Sequence, residues 1–140
     1  MLQLNETEMR LLATLEEAGG ETVEIALNAI AEGTGAPSEL REFLNALTSL
    51  TTVDLVRLSA GRDSQLRMVD LSIDDSLKII EGIEPRYRYN SAFRCWSDTT
   101  RTGPPFREHF PYVVLTDAGL VKSQELLRAR GWEWWRSKSK

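Results

Sequence analysis

The sequence predicts an α+β domain: three short helices, a β-hairpin, a further helix with an irregular segment, and a strand leading into a C-terminal helix. Three observations predict it. Apolar residues recur at helical spacing through the first fifty positions. The period then changes to short Val- and Leu-rich runs separated by a turn. Glycine or proline stands at most of the boundaries between these stretches.

Within the first helix, Leu11, Leu12, Leu15 and Ala18 share one stripe, with Asn5 or Thr7 placed to cap it. Gly19-Gly20 ends it, because glycine tolerates the left-handed conformation found at helix termini. Val23, Ala26, Leu27 and Ile30 repeat the spacing until Gly33-Thr34-Gly35. A third helix opens at Pro37-Ser38, where the missing proline N–H costs little, and buries Leu40, Phe43, Leu44 and Leu47. Glu39, Arg41, Glu42, Asn45 and Thr48 are then expected to face outward. No one of these helices can bury its stripe alone, so the three are expected to pack as a cluster, residues 1–52.

Residues 53–71 read as a hairpin: 53–58 and 66–71 are strands, and Gly61 and Asp63 belong to the turn between them. Residues 72–112 read as an insertion. It opens with a helix capped by Ser72 and faced by Ile73, Leu77 and Ile80, and becomes irregular from Pro85. Residues 113–140 supply a strand at 112–115, a helix from Thr116-Asp117 to about Arg130, and a Trp-rich tail.

A chain of 140 residues falls within the usual size of one domain, and can bury roughly 68–70% of the surface its unfolded form exposes. The apolar and charged fractions, 41% and 27%, are those of an ordinary globular protein. No run approaches the ~20 apolar residues of a membrane span, and Met1–Glu6 lacks the basic start and apolar stretch of a secretory signal. No membrane association and a cytoplasmic location are expected. With one cysteine, Cys95, there is no internal disulfide and no multi-thiolate metal site, and a buried, inert thiol is expected.

Charge is unevenly spread. Residues 1–52 hold Arg10, Arg41 and nine glutamates, a balance of −7, whereas residues 53–140 hold 15 basic and 12 acidic groups, a balance of +3. Phosphate neutralisation supplies most non-specific affinity for duplex DNA, so a DNA-gripping face must draw mainly on the second part of the chain.

The run from Ile30 to Leu47 resembles the helix-turn-helix of winged-helix regulators such as the MarR-like and PadR-like groups. There, an Ile-Ala turn with a following glycine leads to a polar cap and a leucine-spaced recognition helix. Asp54-Leu55-Val56-Arg57 is similar to the strand that begins their wing, and Leu115-Thr116-Asp117-Ala118-Gly119 to the segment that leaves it for a C-terminal helix. The resemblance covers residues 7–71 and 111–130. It departs where Thr51-Thr52-Val53 stands in place of a glycine, and in the two glutamates of the third helix. It implies a winged helix-turn-helix core, a DNA-binding transcriptional regulator, and a homodimer formed through terminal helices.

Under that reading, Arg41 and Asn45 of the third helix can pair with guanine and adenine edges, and Thr48 with a phosphate. Arg57, Arg62 and Arg67 lie on the hairpin, with Arg57 and Arg67 expected on one side and Arg62 at the tip. A solvated helix face and a charge-solubilised hairpin account for the same residues. A winged-helix protein–protein interaction module without DNA binding is the alternative function, motivated by the acidic first part and by Glu39 and Glu42. A third candidate, Arg86 to Trp96 with Arg101 and Arg107, interleaves basic and aromatic residues as single-strand binders do. Its period-two alternation fits a half-buried strand equally well, with tyrosines inward and arginines in water, and packing is the favoured reading.

Trp132, Trp134 and Trp135, with Leu120 and Leu127, form either a clamp over the core or a dimer contact. His109 and Cys95 have no partners that spacing can identify, Asp74-Asp75 is a helix start, and no phosphate-cradling glycine loop exists. No catalytic residues, metal site or cofactor are expected, and the chain is read as a non-enzyme.

Overall fold

The computed structural model describes residues 3–100, 111–132 and 134–136. Its architecture is α+β, with five α-helices and two antiparallel sheets in the described residues.

Helix α1 (Glu6–Ala18) starts at a reciprocal cap: the Glu8 N–H donates to Asn5 Oδ1 at 2.8 Å, and the Asn5 N–H to Glu8 Oε1 at 2.7 Å. It stops at Gly19, whose φ of +72° is the left-handed turn expected there. Strand β1 (Glu21–Thr22) leads into α2 (Val23–Ile30), capped by the Thr22 hydroxyl. Helix α3 (Pro37–Thr52) begins with proline in its first turn. Strands β2 (Val56–Arg62) and β3 (Met68–Asp70) follow, then α4 (Ile73–Glu81) with Ser72 as its cap. After a 3₁₀ turn at Glu84–Arg86 come β4 (Tyr87–Asn90) and β5 (Cys95–Asp98), then β6 (Tyr112–Leu115) and α5 (Asp117–Arg130).

The main sheet has the order β1-β6-β2-β3, every pair antiparallel. Strand β6 thus slots between β1 and β2, with Val113 opposite both Glu21 and Leu58. The chain between β2 and β6 leaves the sheet after β3 and returns by way of α4 and a separate β4–β5 ribbon. The irregular reading from Pro85 onward is corrected here: Tyr87 pairs with Asp98 and Tyr89 with Trp96, and the alternation of residues 86–89 is that of a strand.

One core joins the helices to the sheet. Leu11, Leu12 and Leu15 from α1, Val23, Ala26, Leu27 and Ile30 from α2, and Leu40, Phe43, Leu44 and Leu47 from α3 are all buried, together with Val56, Leu58 and Val113 of the sheet. Each such Val, Leu, Ile or Phe side chain removed from water contributes about 1.5–3 kcal/mol before entropic costs. Ala18, expected on the α1 stripe, is exposed beside the terminating glycine. A smaller cluster of Ala13, Leu127 and Trp135 fastens α5 and the 3₁₀ turn Trp134–Arg136 to the back of α1.

The glycine missing before β2 is replaced by a left-handed aspartate, Asp54, with φ +61°. Asp is among the few side chains that tolerate this region. Its carbonyl accepts the Thr116 hydroxyl at 2.7 Å, and the Leu55 carbonyl accepts the Thr116 N–H at 3.1 Å. The same hydroxyl caps α5 by accepting the Gly119 N–H at 3.0 Å. A Cβ on Gly119 would stand 1.9 Å from the Leu55 carbonyl oxygen, so only glycine lets α5 lie this close to the start of β2.

Gly119→Ala is therefore expected to lower the unfolding free energy by about 1–3 kcal/mol or more, the range for forced overpacking. Gly61→Ala, where an added Cβ meets nothing within 4 Å, should be nearly neutral. Urea unfolding of the two variants makes the comparison; equal midpoints would contradict the packing described.

Candidate nucleic-acid interface

Helix α3 keeps one face in water. Arg41, Glu42, Asn45, Thr48, Ser49 and Thr52 are exposed, while α1 and α2 cover the opposite side. Helix α4 and the 3₁₀ turn flank α3, bringing Glu84 Oε2 to 3.6 Å from Arg41 Nε. Both members of that pair are more than half exposed, so the Arg41 guanidinium remains reachable. Three residues read from sequence as base or phosphate contacts (Arg41, Asn45 and Thr48) thus share one open strip. Ser49 and Thr52 belong to the same strip, and sequence reasoning misses them because small hydroxyl residues carry no distinctive signal.

Glu39 does not face outward with them. Its carboxylate turns back over the α2–α3 loop, accepting the Thr34 and Gly35 N–H groups and the Thr34 hydroxyl at 3.1 Å each. The Trp96 indole N–H donates to the same group at 3.1 Å. Burial disfavours the charge, but these four bonds outweigh it and hold the carboxyl below the usual glutamate range. One of the two glutamates by which α3 departs from the winged-helix pattern therefore serves the loop instead.

The β2–β3 ribbon separates its arginines. Arg57 is not on an open face: Nε donates to Asp54 Oδ1 at 2.7 Å, Nη1 to the Leu71 carbonyl at 3.1 Å, and about a quarter of its side chain is exposed. It sits in a groove of about 410 Å³ with Asp54, Asp70 and Asp117, a setting that disfavours an anion. Arg57, expected to be available on the hairpin, is thus engaged by partners within the chain. Arg62 and Arg67 do lie at the tip. Arg62 donates to the Leu66 carbonyl at 3.0 Å and stands 5.9 Å from the centre of the Tyr112 ring; Arg67 is largely exposed, 3.5 Å from Asp63. Between them Leu66, 74% exposed, takes a left-handed φ of +63°.

The β4–β5 ribbon divides its basic and aromatic residues by face. Tyr87 and Trp96 are buried, and Tyr89 meets Trp96 edge-on at 5.5 Å while its hydroxyl donates to the Gly33 carbonyl. Arg86 is held by Asp98 at 2.5 Å. Arg88 points into water, as expected of the arginines. Arg101, Arg107 and His109 lie outside the described residues.

Of the residues expected at a dimer contact, Leu127 and Trp135 are buried inside the chain against Ala13, and Trp134 is half-buried with Arg130 3.8 Å above its ring. These act as the clamp. Leu120 stays exposed on α5, as does Val121, and Trp132 is exposed just beyond the end of that helix. Cys95, expected to be buried, is half-exposed with Sγ 3.9 Å from Ser97 Oγ. Among the described residues no group of three or more His, Cys, Asp or Glu side chains is placed to hold a metal ion, and no helix is long and apolar enough to cross a membrane.

Because the folded pKa of Glu39 is depressed, its contribution to stability is complete above the ordinary glutamate range and is lost as pH falls through and below that range. Unfolding measured from about pH 7 down to about pH 3 should show a smaller acid loss for Glu39→Gln than for the native chain. Superimposable pH profiles would mean that the carboxylate does not hold the loop. Comparison of the chain with family models, curated proteins and solved structures returns no match.

Proposed function

We propose that this chain is a winged helix-turn-helix domain that binds duplex DNA through α3 and the β2–β3 ribbon and acts as a cytoplasmic transcriptional regulator. The observation that carries the reading is the uncovered strip of α3, where Arg41, Asn45 and Thr48 face water while Leu40, Phe43, Leu44 and Leu47 are buried on its other side. Supporting it, three helices precede the β2–β3 ribbon, β6 pairs between β1 and β2, and the ribbon carries Arg62 and Arg67 at its tip. The contact set becomes Arg41, Asn45, Thr48, Arg62 and Arg67, and Arg57 is left out as an internal tether. The exposed Leu120 and Val121 of α5, with the exposed Trp132 beyond its end, are the residues proposed for a homodimer contact.

A second reading, a protein-interaction module on the same scaffold, is favoured by one observation. Arg41 and Arg67, both largely exposed, each have a carboxylate within 4 Å, which weakens their pull on phosphates. Glu42, exposed on α3, would then serve a basic partner.

The two readings separate on a mixed-sequence duplex. DNA binding predicts an affinity that falls linearly in log–log form with salt, at about 0.9 per phosphate neutralised. Arg41→Ala and Arg67→Ala should each make that slope shallower by about one and weaken binding severalfold. A chain that ignores duplex even at low salt, yet loses a co-purifying protein on Glu42→Ala, would establish the second reading instead.

A further inference from the structure

The tip of the β4–β5 ribbon has the makings of a second basic contact, and its position relative to α3 is fixed by several bonds. The Trp96 carbonyl accepts the Asn28 side-chain amide at 2.8 Å, and the Trp96 N–H donates back to Asn28 Oδ1 at 2.7 Å, so α2 binds β5 as a neighbouring strand would. The Asp98 N–H donates to Glu24 Oε1 at 2.9 Å one turn earlier on α2. At the other end, the Tyr89 ring covers Gly35, where a Cβ would come within 2.5 Å of it. The Arg94 carbonyl lies 3.6 Å from the position of a Cβ on Gly33. The ribbon is thereby clamped to the α2–α3 loop, beside the first turn of α3.

What it presents to solvent differs from what it buries. The Asn90 side chain closes the turn by accepting the Ala92 and Phe93 N–H groups, and Arg94 takes a left-handed φ of +52°. Phe93 is held out, 79% exposed. Arg88 donates to the Pro85 and Tyr87 carbonyls, and neither it nor Arg94 belongs to any of the ion pairs formed by the described residues. In this they differ from Arg41, Arg57 and Arg67, each of which has a carboxylate within 4 Å. Two exposed guanidinium groups with no carboxylate partner among the described residues, and an exposed ring on the same ribbon, suit a sugar–phosphate backbone, with the charges on phosphates and the ring against deoxyribose.

We infer that Arg88, Phe93 and Arg94 form a second backbone-gripping arm, which holds duplex DNA beside the first turn of α3 while the β2–β3 ribbon holds it elsewhere. This rests on the reading of α3 as the helix set against duplex, and it assigns a role to the excursion between β2 and β6. The arm positions the duplex and reads no bases.

The test uses the full chain and a mixed-sequence duplex of about 20 base pairs, roughly two helical turns, with affinity followed from low to moderate salt. The double variant Arg88→Ala/Arg94→Ala should bind about tenfold more weakly at low salt, with a log–log slope shallower by about two. Arg88→Lys/Arg94→Lys should keep the native slope, and Phe93→Ala should weaken binding without changing it. If the alanine pair keeps native affinity and slope while Arg41→Ala loses both, the arm is refuted and the α3 reading stands. If the native chain ignores duplex altogether, both fall together. All three side chains are exposed, so matching thermal unfolding of each variant separates contact from misfolding.

Discussion

The structure depends on β6 finding its slot between β1 and β2. A buried strand must satisfy its backbone donors and acceptors on both sides, and β6 does so only with both neighbours in place. Thr116 and Gly119 secure the end of that strand against Asp54 and Leu55, so the same few bonds position β6, the turn before β2 and the start of α5. Through α5 they also place Leu127 behind α1, where it packs with Trp135. Loss of the slot would open two strand edges and release the C-terminal helix at once.

That slot also explains why so much chain can be inserted without disturbing the core. An excursion that leaves from β3 and returns to β6 has both ends fixed in one sheet with only β2 between them, and lengthening such a loop adds little entropic cost. Here the excursion is not left loose. Helix α4 returns the Ser76 hydroxyl to the Leu58 N–H, and the β4–β5 ribbon adheres to α2 through Asn28 and Glu24. Its elements flank α2 and α3 and leave the outward strip of α3 clear. That strip carries Arg41, Asn45, Thr48, Ser49 and Thr52, and the β4–β5 ribbon is tied to the loop that precedes it.

Local patterns in the sequence carry much of this architecture. The stripes of α1, α2 and α3 are periodic and each sits between clear stop signals, so the burial of Leu11, Leu27 and Phe43 follows from spacing alone. The Leu115–Gly119 motif is equally legible because its residues are fixed by a cap and a close approach. Long-range commitments are not legible. Nothing near Arg57 in sequence announces the Leu71 carbonyl, fourteen residues away, and Glu39 is claimed by Trp96 from a distant ribbon. On α5 the apolar residues are spread around the helix, so spacing does not tell that Leu127 turns inward while Leu120 and Val121 turn outward.

The proposed DNA-binding surface is the outward side of α3, and amide hydrogen exchange with and without excess mixed-sequence duplex at low salt tests that proposal. Slower exchange is predicted in α3 and at the tips of both ribbons, with the buried faces of α1 and β6 unchanged. Protection confined to α5, or exchange identical with and without duplex, would contradict it.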